Sequence, residues 1–263
     1  MRSSIITLLT DFGLKDSYVA SMKGVILRIN PQSTLIDITH QVSAHHIEEA
    51  AFVLASAYST FPKGTIHLSV VDPGVGSSRK PVLLVTQNYF FIGPDNGLFT
   101  LATKKEKVKQ AVALTNRKFF LSQVSATFHG RDIFAPVAAY LSLGVEPKAF
   151  GKRIESWATI PFPEPTFKEG KLVGEIIHVD GFGNLVSNID QQQLSQFSKG
   201  CSFVVRTGGR TIQGLRKGYW EGKKNELISL FGSGGFLEVS IREGNAQKKL
   251  KAKKGDPVQI KFL

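Results

Sequence analysis

Four sets of short stretches place polar side chains and glycine directly after apolar runs, where α/β sheets present groups to a ligand. In Thr10-Asp11-Phe12-Gly13 a carboxylate ends the run 5–9. It can hydrogen-bond a sugar diol there, or serve as a helix cap or turn residue. In Asp72-Pro73-Gly74-Val75-Gly76-Ser77-Ser78-Arg79 the glycines let backbone approach a ligand closely. The carboxylate and guanidinium of that loop can pair, leaving arginine donors to orient a water or an anion; the plain alternative is a loop salt bridge. Phe128-His129-Gly130-Arg131-Asp132 offers an imidazole, the side chain best suited to proton transfer near neutral pH, or a structural histidine. The fourth set is Asp180-Gly181-Phe182-Gly183-Asn184, Gly232-Ser233-Gly234-Gly235-Phe236 and Gly244-Asn245-Ala246. Its amides and backbone can read a purine edge and Phe182 can stack on it, although turn chemistry would also explain each segment.

Other chemistries are excluded on pattern. Asp-Phe-Gly at residue 11 has no nucleotide lysine or catalytic loop before it, so the chain is not a kinase. The Gly-x-x-x-x-Gly-Lys-Ser/Thr phosphate loop and the Gly-x-Ser-x-Gly elbow are both missing, and Cys201 lacks a partner signature. His40, His45, His46, His67 and His178 form no His-Glu-x-x-His spacing. Asp37 with His40, His45 and His46 is the nearest approach to a ligand cluster, and no metal is expected.

The elements that must position these residues follow from hydrophobic period. Strands are expected over 5–9, 35–38 and 65–71, a hairpin over 82–85 and 89–92, and helices over 17–29, 47–58 and 131–143, the last despite Pro136. Pro161-Phe162-Pro163-Glu164-Pro165 reads as stiff and extended. Beyond it come short strands with glycine turns over 173–179, 203–205, 226–231, 236–241 and 257–262. The expected fold is an α/β domain with a central, largely parallel sheet over 1–158, a proline-rich linker over 159–170, and a smaller β-barrel-like domain over 171–263.

Composition sets the class. The chain has 263 residues and is 42% apolar, with a mean hydropathy of −0.02. It contains no apolar run of the roughly 18–20 residues that would span a bilayer. Met1-Arg2-Ser3-Ser4 leads straight into a strand and does not read as a signal peptide, and a single cysteine fits a reducing compartment. A cytoplasmic protein is expected. The 33 basic against 21 acidic residues leave a net charge of +12. Much of the excess lies in runs over 104–109 and 248–254, which lack interleaved aromatics and read as solvated faces, so nucleic acid is not the expected partner.

Five motifs in register carry a resemblance. They are Leu9-Thr10-Asp11-Phe12-Gly13 with Met22-Lys23-Gly24; Val71-Asp72-Pro73-Gly74-Val75-Gly76; Gly93-Pro94-Asp95-Asn96-Gly97-Leu98; Phe128-His129-Gly130-Arg131-Asp132; and Asp180-Gly181-Phe182-Gly183-Asn184. From about residue 5 to 262 the chain resembles the S-adenosyl-L-methionine hydroxide adenosyltransferases, adenosine-forming hydrolases related to the bacterial fluorinase and chlorinase. The resemblance implies hydrolysis of S-adenosylmethionine to adenosine and L-methionine without a cofactor. It also implies a homotrimer with active sites at subunit interfaces. It places the water-activating set on Asp72, Arg79 and His129, and the ribose-binding carboxylate on Asp11, with Asn96 among the substrate-binding residues. Asn184 and the backbone near Asn245 and Ala246 match adenine contacts, Phe182 and Tyr219 the flanking rings, and Asp180 and Ser233 the methionine end. One departure is noted: Gly232-Ser233-Gly234-Gly235 stands where the family often has Asn-Ser-x-Gly. Halide-dependent adenosyl transfer and a non-catalytic adenosyl- or nucleic-acid-binding module are the alternatives. An anionic Asp72 favours water over halide, and only the lysine runs speak for the binding module.

Overall fold

The computed structural model describes residues 5–198 and 200–263; Met1–Ser4, which contain the start read as no signal peptide, lie outside the described residues. The chain forms two compact units, Met1–Pro161 and Phe162–Leu263.

The first unit runs β1 (Ile5–Thr10), α1 (Tyr18–Ile29), β2 (Thr34–Thr39), α2 (Ile47–Ala57), β3 (Ile66–Val70), β4 (Pro81–Thr86), β5 (Phe90–Pro94), α3 (Thr100–Lys105), β6 (Val108–Leu114), α4 (Ala135–Ser142) and β7 (Gly151–Ile154). Its sheet has the order β2-β1-β3-β5-β4-β6-β7. The first four are mutually parallel, and β4, β6 and β7 join by antiparallel pairing, so β6 runs with the first four and β4 and β7 against them. Every position of β3 is buried, as expected for a central parallel strand covered on both faces. Alternation divides the core into two layers. Ile6, Leu8, Ile66 and Leu68 pack with Met22 and Ile26 of α1 and with α4, while Leu9, Leu84 and Phe91 pack with Ala50 and Leu54 of α2.

The helix expected over 131–143 opens as a π turn, Gly130–Phe134, before α4 begins. Pro136 explains the change. It has no N–H to give Asp132, and the Asp132 carbonyl instead accepts from Leu121 N (3.0 Å), which draws the preceding loop onto the helix start.

The second unit contains β8 (Thr166–Lys168), β9 (Lys171–Val179), β10 (Leu185–Asp190), α5 (Gln191–Ser198), β11 (Phe203–Thr207), β12 (Arg210–Gln213), β13 (Leu227–Phe231), β14 (Phe236–Ile241), α6 (Ala246–Leu250) and β15 (Pro257–Phe262). All pairings are antiparallel, in the order β12-β11-β15-β9-β10-β14-β13, with β8 added on β9. Arg216 N donates to Ser229 O (2.8 Å), tying the chain after β12 to β13 and bringing the sheet nearly to closure. Leu172, Ile176, Leu185, Val205, Leu237 and Ile260 fill the interior. β8 falls inside the stretch read as a linker.

Candidate active site

The carboxyl ends of three adjacent parallel strands deliver three of the expected residues: Asp11 follows β1, Asp72 follows β3 and Asn96 follows β5. This is the edge at which open α/β sheets bind ligands. Asn96 Nδ2 donates to Val71 O (2.8 Å) and its Oδ1 accepts from Leu98 N (3.2 Å), so its amide pins the β5 loop beside Asp72. Asp11 Oδ2 accepts from His45 N (2.9 Å).

Asp72, Arg79 and His129 form one connected network. Arg79 Nε donates to Asp72 Oδ1 (2.9 Å) and its Nη2 donates to Asp72 Oδ2, a bidentate pair. Both side chains are largely buried, 9% exposed for Arg79 and 5% for Asp72. Arg79 Nη2 also reaches His129 Nδ1 (3.0 Å). A guanidinium can only donate, so Nδ1 is the acceptor and the neutral ring carries its proton on Nε2. Burial, and then the Arg79 charge, hold the imidazole below its usual 6.5, which fits that assignment. The guanidinium lies over the Phe134 ring, 5.3 Å from its centroid. Its Nη1 is buried without a hydrogen-bond partner among the described residues. Leaving such a donor unsatisfied costs about 1–3 kcal/mol, so this nitrogen favours an incoming oxygen.

Two loops must meet for this network to exist, and their packing shows how they do. Gly76 has φ +77°, and a Cβ there would run into the Ala126 carbonyl oxygen, so the Asp72–Arg79 loop lies directly on the segment before His129. That segment is clamped by Asp132, which is wholly buried and accepts from Ser125 N (2.8 Å) and Arg131 Nε (2.6 Å). Burial alone would raise the Asp132 carboxyl, but these donors hold it below its usual 3.8. Phe12, Tyr18 and Phe128, with ring centroids 5.2–5.9 Å apart, lock the Asp11 loop to the same segment.

In the second unit a cavity of about 760 Å³ is lined by Asp180, Phe182, Asn184, Tyr219 and Ser233, all expected there, and by Glu238, Ile241 and Arg242, which sequence reading missed. Phe182 is 79% exposed. Asp180 accepts from Phe182 N (2.9 Å), Asn184 N (2.9 Å) and Asn184 Nδ2 (2.8 Å), which folds the Asp-Gly-Phe-Gly-Asn turn around its own carboxylate. Asn245 caps α6 by accepting from Lys248 N (2.7 Å), and Ala246 is fully buried behind it. Tyr219 Oη donates to Glu238 Oε2 (2.9 Å). Burial and then that carboxylate push the phenol up to about 12.

No three His, Cys, Asp or Glu side chains group as a metal site among the described residues. Asp37 and His40 lie 3.0 Å apart, and Asp37 also accepts from Lys23 Nζ (2.6 Å).

Profiles of the SAM hydroxide adenosyltransferase N-terminal and C-terminal domains match residues 6–151 and 174–259. The chain belongs to the SAM hydroxide adenosyltransferase family. A Thermus thermophilus protein named (R)-S-adenosyl-L-methionine hydrolase is 35% identical over 261 residues, 96% of this chain and 97% of the relative. A fluorinase from an Actinoplanes species is 27% identical over 77% of each chain. The crystal structure of an uncharacterized conserved protein from Thermotoga maritima superposes with TM-score 0.92 at 38% identity, covering 97% of this chain and 99% of that one.

Proposed function

We propose that this protein hydrolyses S-adenosyl-L-methionine at the ribose 5′ carbon, giving adenosine and L-methionine. The near-full-length similarity to a named S-adenosyl-L-methionine hydrolase supports the activity. The observation that carries the mechanism is the buried Asp72–Arg79–His129 network with its unpartnered Arg79 Nη1. Water is held by Arg79 Nη1, while Asp72, paired to the opposite edge of the guanidinium, fixes the arginine in place. The water oxygen bonds to C5′ as the C5′–S bond breaks, and that electron pair quenches the sulfonium charge. The water proton passes to solvent. His129, neutral, keeps Arg79 from swinging away. In-line attack needs the reacting atoms about 3–3.5 Å apart, so alignment and partial desolvation supply most of the catalysis. The leaving group is already activated, and the reaction draws on no cofactor.

The greater similarity to a protein named as a hydrolase than to the fluorinase favours water over chloride or fluoride as the nucleophile. Asp11 takes the ribose hydroxyls. Asn184 and the backbone near Asn245 and Ala246 take the adenine, Phe182 and Tyr219 flank it, and Asp180 and Ser233 take the methionine end. Asn96 serves this site by holding the β5 loop beside Asp72. A homotrimer with active sites at subunit interfaces belongs to the same reading and rests on the family resemblance; a cytoplasmic location belongs to it as well and rests on the single cysteine. No helix among the described residues is long and apolar enough to cross a membrane.

Chromatography after incubation with S-adenosylmethionine tests the proposal. Adenosine and methionine are expected in equal amounts, with or without chloride. A 5′-chloro product, or no cleavage, overturns it.

A further inference from the structure

The cavity of the second unit is charged in a way the expected residues do not explain. Glu238, on β14, directs a half-buried carboxylate into it beside Asp180. Among the described residues neither acid forms an ion pair: Asp180 is satisfied by backbone and amide N–H groups, and Glu238 receives only the Tyr219 hydroxyl. Glu243 on the same rim differs, for it lies 3.3 Å from Lys224 Nζ and 3.6 Å from Arg242 Nε. Arg242, the one cation of the lining, is turned onto the Trp220 and Gly222 carbonyls (3.2 and 2.8 Å). Burial, and the Asp180 charge, push the Glu238 carboxyl above its usual 4.5, the response of two acids facing one cavity with no cation paired to either among the described residues.

The glycine turn before β14 accounts for the position of Glu238. A Cβ on Gly232 would run into the Glu238 carboxyl group, so the bare glycine leaves the space this carboxylate occupies. An asparagine side chain at this position would push the carboxylate aside.

We propose that Glu238 is a specificity-determining residue, a second carboxylate that with Asp180 receives the α-ammonium of the methionyl group, in a place opened by Gly232 and oriented by Tyr219. The inference rests on the proposed activity and deepens it. S-Adenosylmethionine brings two cations, and the chemistry distinguishes them. The sulfonium charge vanishes in the transition state, so a carboxylate pair against it would stabilise the ground state and slow the reaction. The ammonium keeps its charge throughout and has N–H donors for both acids, so binding it lowers KM with no penalty in kcat.

The test compares S-adenosylmethionine with its deamino analogue, the same sulfonium lacking the α-amine, on wild-type protein and Glu238→Gln. For S-adenosylmethionine the variant should raise KM roughly ten- to hundredfold with kcat within about threefold, the loss expected for a hydrogen bond to a charged group. For the deamino analogue the KM values of the two proteins should agree. Gly232→Asn should reproduce the KM defect with Glu238 still present, and Tyr219→Phe should give a smaller one. Equal defects on both compounds, or none on either, overturn the inference. Absence of turnover by wild-type protein would sink the activity instead. Calorimetric titration with the two compounds then decides the inference separately: discrimination for the amine that Glu238→Gln abolishes supports it, and equal binding overturns it.

Discussion

The two units each gather carboxylates at a surface proposed to meet the substrate, but they treat the charge in opposite ways. In the first, Asp72 is neutralised on the spot by a bidentate arginine, and a neutral imidazole braces that arginine from its other side. In the second, Asp180 and Glu238 face one cavity and neither forms an ion pair among the described residues. A charge-compensated network is rigid when empty and suits a neutral nucleophile that must be aimed. An uncompensated pair is strained when empty and relaxed by a cation, which suits recognition. The proposed reaction needs one of each.

Breaking the compensated side should have the largest effect. Arg79→Met removes the guanidinium and leaves the Asp72 carboxylate buried without its partner. Such a loss destabilises by about 3–5 kcal/mol. kcat should fall by about 10²–10⁴, the range for losing a positioned polar group at the reacting centre, with KM changed little. Adenosine release followed at saturating substrate, with thermal unfolding alongside, measures both. A normal kcat in this variant would mean that the network is structural only.

An intermediate effect is expected from the packing that brings the two loops of the first unit together. Gly76→Ala must carry φ +77° on a side chain whose Cβ meets the Ala126 carbonyl, so one loop has to move and Arg79 moves with it. Roughly tenfold lower kcat and a cost of about 1–3 kcal/mol are expected. Gly170→Ala in the second unit is the matched control. Its φ is +69° but nothing lies within 4 Å of the new Cβ, so it should show only the backbone cost, on the order of 1 kcal/mol, and normal turnover. Equal kcat losses in the two variants would show that strain alone matters.

What the sequence makes legible divides by the same physics. The strand Ile66–Val70 carries apolar residues at every second position, the strand period, and the loop that follows brings Asp72 and Arg79 within seven positions of each other, so their pairing is readable locally. β10 was missed because Ser187 and Asn188 interrupt its pattern. In the fold both are tied across strands, Ser187 Oγ to Leu237 O (2.9 Å) and Asn188 Oδ1 to Glu175 N (2.8 Å), partners no local window contains. β6 was hidden behind the lysine run of 104–109, whose residues end α3 and begin the strand. Glu238 lies in an alternating strand as an ordinary outward acid, and only the approach of Tyr219 and Asp180 from other segments, with the space left by Gly232, gives it a role. His129 was readable as a candidate, but its tautomer depends on an arginine fifty positions away.

The smallest effect is the most discriminating, because acid should act on the two sites through different kinetic parameters. His129 titrates below its usual 6.5, so above that range the ring is neutral and the network intact. As pH falls through the depressed value, the new proton removes the acceptor for Arg79 Nη2 and sets a second cation beside it. kcat should therefore drop about twofold at the inflection and about tenfold per further unit, the behaviour of a single proton. Glu238 titrates above its usual 4.5, so acid neutralises it and KM should rise with falling pH, while kcat keeps its own profile. The stability contributions carry opposite signs. His129 favours the fold above 6.5 and loses that contribution as pH falls through its folded value. Glu238 in the unliganded protein favours the fold below 4.5 and loses its contribution as pH rises through its folded value. In Glu238→Gln the KM limb should flatten and the kcat limb persist. If both limbs vanish together, a single group governs them and the two sites do not divide the work.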